Sequence, residues 1–167
     1  GSFTGLDGDA PGFGRTQDGT RLRGWRPPFG ACLGLQLTAT QLSVTLEIAN
    51  TGQTPFDFTT ALHTYLRVAD LTQVQLAGLE RTTVWDTQPQ TSTAFQPPHF
   101  GAAIDRIHHV PPPTDDDTFN ELQMTLTAPG RTLTLRQGDT LPDVVVWNPG
   151  PDAGVADLPG DEWRRFV

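Results

Sequence analysis

Four histidines occur in the chain, His63, His99, His108 and His109, and the neighbours of one make it a candidate for proton transfer. His63 lies in Ala61-Leu62-His63-Thr64-Tyr65-Leu66. An imidazole projecting from a strand into a cleft can act as a general acid near neutral pH, because its reference pKa is about 6.5. The same apolar neighbours fit a second reading, a core histidine held by a hydrogen bond, whose basicity burial would depress. Asp105, in Ile104-Asp105-Arg106-Ile107, is either an acceptor for polar groups of a ligand or half of a surface pair with Arg106. Trp85, Trp147 and Trp163 have rings that can stack on the C–H patches of a sugar or fill a core. No His-x-x-x-His or Cys-x-x-Cys spacing is present, and Cys32 is the one cysteine, so the spacing predicts no metal site. Nucleophile-elbow and phosphate-loop words are absent as well.

The elements that would carry these side chains read as strands. Leu33, Leu35 and Leu37 alternate with polar or small residues, as do Leu42, Val44, Leu46 and Ile48, and the second run ends at Asn50-Thr51-Gly52. Period-2 alternation of this kind predicts half-buried strands. Leu122, Met124 and Leu126, then Leu133 and Leu135, flank Ala128-Pro129-Gly130-Arg131, the pattern of a hairpin. Val144-Val145-Val146-Trp147 reads as a strand covered on both faces, stopped by Asn148-Pro149-Gly150-Pro151. Nowhere do apolar residues recur at helical spacing over ten or more positions. The fold class is therefore all-β, and a sandwich is the economical way to bury so many one-sided strands. Residues 1–20, 88–98 and 111–117 are expected to be the least regular. No internal repeat marks a second domain, so residues 1–167 read as a single domain.

With 167 residues the chain is long enough for one core. Its 17 Gly and 15 Pro together stay below the roughly 25–30% at which low complexity becomes the default. The formal net charge is −8, from 19 acidic and 11 basic residues, which argues against nonspecific nucleic-acid binding. No stretch approaches the roughly 18 apolar residues of a membrane span, and no secretory signal pattern opens the sequence. A lone cysteine rules out an internal disulfide and fits a reducing compartment.

Specific words then extend this reading. Leu62-His63-Thr64-Tyr65-Leu66-Arg67-Val68, preceded by Ile48-Ala49-Asn50-Thr51-Gly52, and Leu141-Pro142-Asp143-Val144-Val145-Val146-Trp147-Asn148-Pro149 closely resemble the hexose-6-phosphate mutarotases. These form the glucose-6-phosphate 1-epimerase branch of the aldose 1-epimerase superfamily. The resemblance runs in consistent order over roughly residues 29–167, through Ile104-Asp105-Arg106-Ile107 and into Trp163-Arg164-Arg165. It implies an antiparallel β-sandwich of the galactose mutarotase-like type, here incomplete on its N-terminal side, that interconverts sugar anomers without metal or organic cofactor. A base would take the proton of the C1 hydroxyl while an acid protonates the ring oxygen, and ring opening, rotation and closure follow.

On the matching positions, the resemblance makes His63 the general acid and Asp105 the carboxylate that holds sugar hydroxyls. Gly12-Phe13-Gly14-Arg15 resembles the Gly-Phe-Ala-Arg word that carries a phosphate-contacting arginine, which makes Arg15 a candidate substrate contact; Pro11 departs from that pattern. The family's general-base Glu falls after the position of Val167, so these 167 residues are expected to turn over weakly or not at all. The partner implied is a hexose phosphate or another aldose, the expected location cytoplasmic, and the expected state a monomer when the domain is complete. A noncatalytic carbohydrate-binding sandwich using His63, Asp105 and a tryptophan is the alternative.

Overall fold

Alternating patterns become strands wherever a partner strand satisfies the backbone, and among the described residues ten strands account for nearly all regular structure. The computed structural model describes residues 3–7, 27–111, 121–138, 140–151 and 160–167, with the backbone path alone for 3–7 and 121. The chain divides into two compact units, Gly1–Leu62 and His63–Val167.

The first unit is a three-stranded antiparallel sheet in the order β1 (Phe3–Asp7), β2 (Phe29–Leu37), β3 (Leu42–Asn50). Residues 1–20 are thus not uniformly irregular, because the backbone of Phe3 and Thr4 pairs with Leu33 and Cys32. The register of the β2–β3 hairpin sets Leu33 opposite Leu46, Leu35 opposite Val44 and Leu37 opposite Leu42. Directly opposed residues share a face, so both apolar rows fall on one side of the sheet. Burial does not follow the alternation as expected, since Leu37 is 78% and Leu42 60% exposed. Among the described residues of this unit there is one sheet and no second layer to cover them.

The second unit is a two-sheet sandwich. One sheet has the order β10 (Asp143–Asn148), β7 (Ile104–His109), β5 (Thr83–Asp86), β6 (Thr91–Ala94); the other is β4 (Gln75–Ala77), β8 (Glu121–Ala128), β9 (Arg131–Gly138). All pairings are antiparallel. Ile104, Val144 and Val146 of the first sheet meet Leu76, Leu122, Met124 and Leu126 of the second in one core, closed by Leu71, Leu79 and Phe100. The expected hairpin is β8–β9, turned by Pro129-Gly130, with Gly130 at φ +73°. A left-handed backbone of that kind suits glycine, which has no Cβ to clash. A short 3-10 turn, Leu71–Gln73, is capped by Asp70, whose carboxylate accepts from the Thr72 amide and hydroxyl. Those hydrogen bonds hold the Asp70 carboxyl below its ordinary range.

One expectation for β10 needs correction. Val144 and Val146 are buried but Val145 is 56% exposed, so the continuous β-branched run is covered on one face only. The open face is the one that carries Trp147. Among the described residues no helix is long and apolar enough to cross a membrane.

Candidate functional site

Register determines which side chains of the four-stranded sheet can meet. Trp147 of β10 stands opposite Asp105 of β7, Val145 opposite Ile107, and Ile107 opposite Trp85 of β5. Opposed residues and those two apart along a strand project to the same side. Trp147, Asp105, Val145, Ile107 and Trp85 therefore line the face turned away from the sandwich core. Of the three candidate tryptophans, Trp147 and Trp85 share this face. Trp163 instead packs against the core cluster, with Arg164 over its ring.

His63 reaches the same face from an irregular segment rather than from a strand. In Leu62–Val68 the exposed residues are His63, Thr64, Tyr65 and Arg67, while Leu66 packs against the core and Val68 is buried in it. The imidazole is consequently exposed, and the reading of a buried, core-like His63 is corrected. Its ring stacks on Tyr65 at 4.9 Å between centroids and meets the edge of Trp147 at 6.2 Å. Phe166 stacks on Trp147 at 6.0 Å and meets Tyr65 edge-on at 5.0 Å. His63 and Asp105 are thus both neighbours of Trp147, one through ring contact and one across the ladder.

The Asp105 carboxylate is half-buried and makes no surface pair with Arg106. Consecutive strand residues face opposite ways, so Arg106 points to the other side of the sheet, where its Nε donates to Asp86 at 3.0 Å. The backbone of Asp105 is fixed, since its carbonyl accepts from the Thr87 amide at 3.0 Å and the Thr87 hydroxyl at 3.1 Å. Its carboxylate is left facing outward on the rung of Trp147, able to accept hydrogen bonds from a polyhydroxylated ligand.

The aromatic group is held by a residue the sequence reading overlooked. Asn148 is 1% exposed; its amide nitrogen donates to the carbonyls of Trp163 and Phe166 at 2.8 and 3.1 Å, and its carbonyl accepts from the Gly150 amide at 2.9 Å. Gly150 has φ +70°, and a Cβ there would collide with the backbone of Ala102 and Ala103. The segment Arg165–Val167 also pairs with Leu66–Val68 through their backbones. Phe166 is thereby fixed between Tyr65 and Trp147. The Asn-Pro-Gly word signalled a turn, but nothing in it showed where the Asn side chain would be spent.

The buried histidine of this protein is His108, fully enclosed on the core side of β7. The Thr82 hydroxyl donates to the Leu79 carbonyl at 2.7 Å and lies 2.9 Å from His108 Nδ1. With the hydroxyl proton already committed, Nδ1 must carry the hydrogen and donate to Thr82. Nε2 is buried with no hydrogen-bond partner. Burial first, and then the charges of Arg106 and His109, push His108 down to about 4. Its neighbour His109 is exposed and pairs with Asp143 at 2.9 Å.

Among the described residues no three His, Cys, Asp or Glu side chains gather as a metal site. Arg15 lies outside the described residues.

The second unit is thus an all-β sandwich that presents an imidazole, a carboxylate and aromatic rings around one sheet face. The comparison of sequences makes this specific: the chain belongs to the aldose 1-epimerase family, whose model matches residues 13–165. A protein of Cenchrus ciliaris, provisionally named glucose-6-phosphate 1-epimerase, is 30% identical over 113 residues, which are 65% of this chain. The matched region spans 32% of that relative's length.

Proposed function

We propose that the protein interconverts the α and β anomers of a hexose 6-phosphate by general acid–base ring opening. His63 protonates the ring oxygen as the C–O bond breaks, and Asp105 accepts hydrogen bonds from sugar hydroxyls and fixes the ring against Trp147. The partner base takes the C1 hydroxyl proton; the resemblance puts that carboxylate after position 167. The observation that carries the reading is the shared neighbour: Trp147 lies opposite Asp105 in the ladder and touches the His63 ring. Acid and hydroxyl acceptor therefore flank one aromatic platform, and neither makes a hydrogen bond among the described residues that would occupy it. The name of the Cenchrus ciliaris relative supports the phosphorylated substrate.

Exchange NMR of glucose 6-phosphate anomers tests the proposal, run on the 167 residues and on a form extended at the C-terminus. Acceleration of exchange that His63→Ala removes is the expected result. Saturable sugar binding without acceleration in either form would instead establish a noncatalytic carbohydrate-binding role.

A further inference from the structure

A histidine that transfers protons commonly has its ring set by a hydrogen bond at the nitrogen not engaged in chemistry. Two other histidines of this chain have a partner of that kind: His108 lies 2.9 Å from the Thr82 hydroxyl and His109 2.9 Å from the Asp143 carboxylate. His63 is exposed and makes no hydrogen bond among the described residues. An imidazole left to itself samples about six side-chain orientations, three wells at χ1 and two at χ2. What His63 has in place of a hydrogen bond is the ring of Tyr65, whose plane lies only 20° from its own at 4.9 Å between centroids.

Tyr65 is held more firmly than the residue it supports. Phe166 meets it at 5.0 Å and Trp147 at 6.3 Å, with ring planes at 67° and 90°, the edge-to-face geometry that aromatic quadrupoles favour. Its chain neighbour Leu66 exchanges two backbone hydrogen bonds with Val167, at 2.7 and 3.0 Å, and Arg67 is bridged to Phe166. The Tyr65 ring thus has three aromatic neighbours and an anchored main chain beside it, although 54% of the residue is exposed.

We propose that Tyr65 is the positioning residue of the general acid: its ring face restricts the His63 imidazole to the orientation that delivers a proton to a sugar resting at Trp147. The proposal rests on the proton-transfer reading above and goes beyond it. Tyr65 acts through His63 by its ring alone, so the hydroxyl is dispensable and phenylalanine is a sufficient replacement. A preset acid does not have to be found among competing rotamers when the sugar arrives.

NMR of the 167-residue chain reads this arrangement without turnover. Three-bond couplings of His63 should report one χ1 rotamer, and its ring protons should show cross-peaks to the Tyr65 ring. Tyr65→Phe should keep the single rotamer, and Tyr65→Leu should give couplings averaged over several. In the form active in anomer exchange, Tyr65→Leu should lower kcat roughly sixfold, the number of orientations released, with KM little changed, and Tyr65→Phe should restore the rate. Averaged couplings in the unaltered chain would overturn the proposal whether or not any variant folds. A single rotamer that persists in Tyr65→Leu would overturn it too, as would a Tyr65→Phe rate as low as that of Tyr65→Leu. A raised KM at unchanged kcat would overturn it by making Tyr65 a surface for the sugar itself. Ordered couplings with no anomer exchange in any form would instead overturn the proton-transfer reading of His63, and exchange with disordered couplings would overturn the positioning role alone.

Discussion

In the proposed mechanism His63 and Asp105 do different work, and their substitutions should separate in kinetics. General acids contribute about 10²–10⁴-fold, so His63→Ala is expected to remove that factor from the anomerisation rate of the active form, read by exchange NMR. Asp105→Asn keeps the shape but weakens the acceptor, and it should raise KM for the sugar more than it lowers kcat. His108 belongs to a separate account. Its neutral form is enforced by burial, so its folded pKa near 4 lies below the unfolded value of about 6.5. The unfolded chain then binds the proton more readily. The stability contribution is complete above about pH 6.5 and is lost as pH falls from there through 4, reaching at most about 3 kcal/mol. Urea melts across that range should show a shallower pH slope in His108→Leu than in the unaltered protein.

Strand register converts these residues into a site. Six rungs join β10 to β7, from Asp143–His109 to Asn148–Ile104, and a slip of β10 by one residue would turn Trp147 toward the core and away from Asp105. The end of this ladder is locked by Asn148. Its three hydrogen bonds are buried, and cutting the side chain strands two carbonyls and an amide. Asn148→Ala should therefore destabilise the fold by about 1–3 kcal/mol, measured by chemical denaturation. Because Phe166 is one of the partners, near-UV circular dichroism of the Trp147 cluster should change as well. That optical signature would be missing if Asn148 served the turn alone.

Stability is distributed unevenly over the molecule. Leu126 is fully buried between the sheets of the second unit, and Leu126→Ala should cost about 2–5 kcal/mol. Leu37 and Leu42 in the first unit have the same residue type and the same alternating context, yet they are largely exposed. Leu37→Ser and Leu42→Ser should each stay within about 0.5 kcal/mol, and parallel thermal melts of the three variants check the contrast. The comparison shows what an alternating pattern carries. It specifies a strand and which residues share a side, but whether that side is covered depends on a second layer.

The strands, the β8–β9 turn and the words around His63 and Trp147 were readable because they are local: pleat period, turn chemistry and a consecutive motif need no distant partner. The joining of His63, Asp105 and Trp147, residues far apart in the chain, was not local. It came from the cross-strand rung and from the outward turn of the segment before Arg67. Which histidine is buried was decided in the same way, since His63 follows Leu62 and His108 follows Ile107, and the side of the backbone each faces is set by packing. The Asn148 clasp stayed hidden for that reason too: it exists where two segments about fifteen residues apart are brought side by side by a shared side chain.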